Sequence, residues 1–215
     1  MVSFANRQQT SLVAEICSSF VFDNGAFSFW KAKHPVDWEG FYRWVDDWRR
    51  HPGFEWALIP DMIEGNEKEN DDLLYQWPFK DSVGVPVWHL HESLERLRKL
   101  ADNWPRIALG SSAEFAKIGT EKWWTRMSTV MRTICDSEGS PITKIHGLRM
   151  MDPKVFGQFP FSSVDSTNVA RNIGIDSRWK GTYLPPSKAA RGLVLAQRIE
   201  AFQSAERWIR EGEGA

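Results

Sequence analysis

Along the chain, short runs of apolar and β-branched residues alternate with longer stretches in which apolar positions recur every three or four residues. A short apolar run closed by small or acidic residues reads as a buried strand, and the longer spacing reads as one face of a helix. Seven runs predict strands at Val2–Ala5, Phe20–Phe22, Trp56–Ile59, Val85–Leu90, Ile107–Leu109, Lys144–Leu148 and Ser162–Val164. Between them, Asp37 caps a helix with Trp38, Phe41, Tyr42, Val45 and Trp48 on one face, and Asn66 with Glu69 forms a capping-box pattern. Ser93 precedes Leu94, Leu97 and Leu100, and Thr120 precedes Trp124, Met127, Met131 and Ile134, again at helical spacing. The last helix is expected from Ser187, just after Pro185-Pro186, to about Arg210, making a C-terminal helix over about 187–210.

The repeated strand–helix order predicts an α/β fold with a parallel sheet. The expected form is a TIM-like (β/α) barrel in a single domain spanning 1–215. With seven runs where a barrel needs eight, the barrel is expected to be incomplete or modified at the N-terminus. An open doubly wound sheet is the competing architecture.

Charge narrows the partners. The chain has 27 basic and 28 acidic side chains, so its net charge of -1 exerts no global pull on a polyanion, and any nucleic-acid site must be a local patch. Cys17 and Cys135 are too few for a disulfide framework or a cysteine-rich zinc site, which points to a reducing, cytoplasmic setting. The N-terminus lacks the pattern of a signal peptide, and no run approaches the roughly 18 apolar residues of a membrane helix, so no membrane partner is expected. The 12 tryptophans are accounted for chiefly by core packing, with Trp30, Trp88 and Trp179 as candidates to stack on bases.

In parallel α/β folds, functional residues collect just beyond the C-terminal ends of the strands. Here those ends run into Asp23-Asn24-Gly25, into Asp61, into His89 and His91, into Gly110-Ser111-Ser112, and into Asp165. Three strand-end aspartates beside two histidines suit acid–base or nucleophilic chemistry. Asp61, His89 and His91 could offer a mixed nitrogen and oxygen metal site, but no further ligand has diagnostic spacing, and the expectation is no metal and no cofactor. His146 reads as a pocket or core histidine. Glycine-rich phosphate loops, a Gly-x-Ser-x-Gly elbow and a reactive-cysteine context are not found, which leaves carboxylates as the chemical equipment.

Taken in order, DNGAF, IPDMIEG, VWHLHES, IALGSS, KIHGLRM and FSSVDSTNVARN resemble the motifs of the queuine/archaeosine tRNA-guanine transglycosylase superfamily, including its deazapurine DNA-modification relatives. The resemblance runs from about Phe20 to Arg178 and rests on motif order. It implies Asp165 as nucleophile and Asp23 as a second catalytic carboxylate. Asp61, His89, His91, Asn24, Gly110, Ser111 and His146 then hold the base, with Trp30 and Trp88 beside it. Arg171 and Asn172 are candidate backbone or sugar contacts, and the basic residues Arg178, Lys180 and Lys188 extend that patch.

The implied activity is cleavage of an N-glycosidic bond of a modified base, by hydrolytic excision or by base exchange with a free deazapurine, in DNA modification or antiphage defence. DNA is expected over RNA, because the cysteine-rich zinc subdomain of the tRNA enzymes has no counterpart in these residues. The competing readings are a transglycosylase acting on RNA, a (deoxy)ribosyltransferase acting on free nucleosides, and a catalytically silent base-binding module.

Overall fold

Phe20 and Phe22 lie two residues apart, so an extended backbone puts both rings on one face. The computed structural model, which describes residues 1–80, 82–174, 179 and 183–209, builds them into a parallel sheet. The chain divides into two compact units, Met1–Lys117 and Ile118–Ala215.

The first unit contains β1 (Val2–Ser3), α1 (Thr10–Ile16), β2 (Phe20–Asp23), α2 (Ala26–Ala32), α3 (Trp38–Trp48) and β3 (Phe54–Leu58). It continues through α4 (Glu67–Tyr75), β4 (Gly84–Val85), β5 (Val87–His89), α5 (Leu94–Asn103) and β6 (Arg106–Gly110). One sheet has the order β1-β2-β3-β4, and β5 pairs with β6 in another. The core of the first sheet is aromatic: Phe22 stacks on Trp44 with centroids 3.7 Å apart and planes at 11°, and Phe4 and Phe41 close around Trp44.

The second unit contains α6 (Glu121–Ile134), β7 (Lys144–Gly147), α7 (Pro153–Phe156), β8 (Ser163–Val164), α8 (Asn168–Asn172) and α9 (Lys188–Glu200). Strands β7 and β8 pair in parallel. Trp123, Met127, Val130, Met131 and Ile134 bury one face of α6, as the helical spacing requires. Every described pairing between named strands is parallel, so the fold is mixed α/β. No described helix is long and apolar enough to cross a membrane.

The helix starts read from the sequence are where the caps place them. Asp37 Oδ1 accepts from the Gly40 amide at 2.8 Å, and Asn66 and Glu69 exchange both bonds of a capping box. Ser93, Thr120 and Ser187 cap α5, α6 and α9 in the same way. A Cβ at position 40 would lie 2.1 Å from Asp37 Oδ2, so a larger residue there would push the capping carboxylate aside.

Three expectations are corrected. The run Val85–Leu90 is two strands: Pro86 has no N–H for a ladder, so β4 stays with β3 while the chain beyond the proline pairs with β6. The first strand ends at Ser3, where the chain turns into a 3-10 helix over Phe4–Gln9. The last helix begins as expected but stops at Glu200, ten residues before Arg210. Beyond it Trp208 is buried and its amide donates to the Gly139 carbonyl at 2.9 Å, a bond that a continued helix would forbid.

Candidate functional site

Parallel pairing sets the C-terminal ends of neighbouring strands on one edge. In the first unit, that edge receives Asn24 just after β2, Asp61 just after β3, His89 as the last residue of β5, and Gly110 as the last residue of β6 in register with His89. Asn24, Asp61 and His89 are 1%, 6% and 2% exposed, so each polar group needs a partner inside the protein.

The Asn24 amide nitrogen donates to the Ile59 carbonyl and to Asp61 Oδ1, both at 2.7 Å, and its oxygen accepts from the Ala26 amide at 2.9 Å. The other carboxylate oxygen of Asp61 lies 2.9 Å from His89 Nε2. Because a carboxylate only accepts, this bond puts a proton on Nε2, so that whenever the ring is neutral its lone pair is on Nδ1. That Nδ1 is buried with no hydrogen-bond partner among the described residues. It faces Gly110 closely enough that a Cβ there would lie 2.9 Å away. An imidazole oriented by a buried carboxylate, with its second nitrogen uncommitted, can accept a proton and be stabilised as imidazolium.

The neighbouring predicted residues have distinct positions. The His91 ring stacks on His89 with centroids 5.6 Å apart, and its Nδ1 lies 2.8 Å from Ser112 Oγ. Ser111, next to Ser112 in sequence, is buried. Asp23 accepts from the Gly25 amide at 3.2 Å, which shapes the turn into α2. Trp30 is 43% exposed and lines a cavity of about 410 Å³ that Asp61 also lines.

Trp88 is corrected: it is wholly buried, its indole N–H donates to the Ser93 carbonyl at 3.0 Å, and no ring face is open to a base. Trp179 is likewise buried, with Arg198 over its ring.

Beneath the strand ends lies a charged network that sequence reasoning missed. Glu92 Oε2 accepts from the His89 amide at 2.9 Å and from Arg96 Nη1 at 2.7 Å, while Oε1 accepts from Asn70 Nδ2 at 2.9 Å. The Asn70 oxygen in turn accepts from the Met62 amide at 2.7 Å, and Arg96 Nε donates to Asp71 at 2.9 Å. One buried carboxylate thus ties together the chain at His89 and the chain next to Asp61. The visible signal was the i,i+4 spacing of Glu92 and Arg96.

In the second unit, His146 of β7 is in register with Ser163 of β8, and its Nδ1 lies 2.8 Å from Ser163 Oγ. His146 Nε2 is 3.6 Å from Asp165 Oδ1, beyond hydrogen-bond distance, and that oxygen accepts from the Arg149 amide at 2.9 Å. Arg149 has φ 62°, and this left-handed turn folds the 147–151 loop against Asp165. Burial lowers the Arg149 guanidinium from the usual arginine range, and the Asp165 charge opposes that shift. The Asp165 side chain is 28% exposed, so it is both held and reachable.

Arg171 and Lys188 are exposed on α8 and at the start of α9. The Asn172 amide is taken up within α8, donating to the Asn168 carbonyl at 2.7 Å and to its side chain at 2.6 Å. Arg178 and Lys180 lie outside the described residues. Among the described residues no group of three histidine, cysteine, aspartate or glutamate side chains is placed to hold a metal ion. No family model, curated protein or solved structure matches the chain, and the chemistry of these two strand-end clusters therefore carries the functional argument.

Proposed function

We propose that the protein breaks the N-glycosidic bond of a nucleobase, with the Asp61–His89 pair handling the proton of the base. The observation that carries this reading is the buried His89 ring, bonded through Nε2 to Asp61 and uncommitted at Nδ1. When the bond breaks, its electron pair leaves with the base nitrogen and positive charge builds on the anomeric carbon. On this reading Asp61, the member of the pair that lines the cavity, meets the base, and the buried His89 ring behind it holds the proton exchanged with it.

The resemblance gives the nucleophile's part to Asp165, whose carboxylate would capture the anomeric carbon. Its partial exposure and the amide bond from Arg149 support that part. Asp23 is the second carboxylate proposed for the reaction. The (β/α)-barrel form belongs to the same proposal, supported by parallel strands with functional side chains at their C-terminal ends. The polymer substrate proposed is DNA carrying a modified base, turned out of the stack for reaction.

A second reading, transfer of a (deoxy)ribosyl group between free nucleosides, is favoured by the cavity beside Asp61. Glu64 and Glu69 line it and no lysine or arginine does, a lining that repels a phosphate backbone.

The test is incubation of the protein with modified and unmodified DNA, tRNA and free nucleosides. Mass spectrometry then reads released base, and alkali treatment reads abasic sites. The expected result is product from wild type and loss of about 10²-fold or more in Asp165→Asn and in His89→Gln. Wild-type product from Asp165→Asn sinks the nucleophile, and product from none of these substrates sinks the glycosyl-bond reading.

A further inference from the structure

The cavity beside Asp61 is built from α2, the segment leading into α3 and its first residue, the loop that follows β3, and the first turn of α4. Its volume of about 410 Å³ suits a small organic molecule. Its lining is chemically one-sided. Trp30 and Trp38 are among its residues, and so are three acidic ones: Glu64, Glu69, one of whose oxygens accepts from the Asn66 amide, and Asp61, whose oxygens are bonded to Asn24 and His89. Lys31 and Lys33, one and three positions after Trp30, are not among the lining residues, and the only basic type among them is His34.

Trp30 is the tell-tale residue. Most large rings of the first unit are driven into its core, as with Trp44, Trp56, Trp77 and Trp88, while Trp30 stays 43% exposed at the cavity. An exposed indole presents a negative π face, which attracts a cation within about 6 Å of the ring. The exposed Glu64 and Glu69 add charge of the same sign, while Asp61 is held by Asn24 and His89 at the inner side of the cavity. A neutral apolar guest would use the rings but not the carboxylates, and an anion would be repelled by them.

We propose that this cavity is a binding site for a small organic cation, a protonated or quaternary amine seated against Trp30 and neutralised by Glu64 and Glu69. The site requires no glycosyl-bond chemistry, so its test stands apart from the activity assay.

The probe is choline, with 3,3-dimethyl-1-butanol as the uncharged molecule of the same shape, and with benzylamine and inorganic phosphate alongside. Binding to the full chain is read by tryptophan fluorescence and by calorimetry at low salt. The expected result is that choline or benzylamine binds about tenfold more tightly than the neutral alcohol. Phosphate is expected not to bind. Trp30→Ala should weaken the cation about tenfold and Glu64→Gln by a few-fold, and added salt should weaken it further.

Both positions are exposed, so both variants are expected to keep the wild-type unfolding midpoint. Equal affinity for choline and the alcohol overturns the proposal, as does unchanged affinity in Trp30→Ala or the absence of binding by either amine.

Discussion

Replacing Glu92 tests whether the buried network holds the Asp61–His89 pair. Its side chain is 1% exposed and that of Arg96 is 4% exposed, so neither group can turn to water. In Glu92→Gln the amide oxygen can serve the His89 amide and Arg96, which leaves the new NH₂ group facing Asn70 Nδ2, donor against donor. Asn70 cannot rotate to relieve the clash, because its oxygen is committed to the Met62 amide.

One bond to a charged acceptor, about 1.5–3 kcal/mol, is lost. Arg96 keeps Asp71 at 2.9 Å, so the cost stays below the roughly 3–5 kcal/mol of an orphaned buried charge. The expected loss for Glu92→Gln is about 2–3 kcal/mol. Glu92→Leu leaves the His89 amide without an acceptor and takes the charged partner from Arg96, whose Nη1 keeps only the Val87 carbonyl at 3.2 Å, while Asn70 Nδ2 keeps only the Met62 carbonyl at 3.5 Å, so it should cost about 3–5 kcal/mol.

For a chain of this length, each kcal/mol moves the midpoint by about 2–4 °C, so Glu92→Gln should lower it by about 4–12 °C. Thermal unfolding followed by circular dichroism measures the shift. If the two units melt separately, the shift belongs to the one containing Met1–Lys117. Histidine ring resonances should move as well, because the His89 amide loses a charged acceptor. A Glu92→Gln midpoint within about 1 °C of wild type, or a leucine variant no worse than the glutamine, would refute the reasoning.

Two further substitutions probe single close approaches. Gly110→Ala puts a methyl group 2.9 Å from His89 Nδ1, so the ring must shift. It should cost about 1–3 kcal/mol in urea unfolding and displace the His89 ring from Asp61, and unchanged His89 resonances would contradict that placement. Gly139→Ala meets a φ of +84° and a Cβ position 2.0 Å from the Trp208 carbonyl. It should cost about 2–4 kcal/mol and open the segment around Trp208 to proteolysis, and wild-type protease resistance would argue against the Gly139–Trp208 pairing.

The parts of this molecule legible in the sequence are those settled within a few residues. Asp37, Asn66, Ser93, Thr120 and Ser187 each cap through a bond to the amide three positions on, so the helix starts were readable one segment at a time. The strand ends, and with them Asp61, His89, Gly110 and Asp165 as candidates, followed from the alternation of strand and helix.

The identity of each partner was not legible. Asp61 meets His89 across 28 residues and Asn24 across 37, and Glu92 meets Asn70 across 22. Pro86 divides one apolar run between two sheets, and two tryptophans of equal hydrophobicity separate into a wholly buried Trp88 and an open Trp30. Local backbone preferences act over one turn and are written in neighbouring residues. Burial and long-range pairing depend on which surfaces the folded chain brings together, and that was decided only by the tertiary structure.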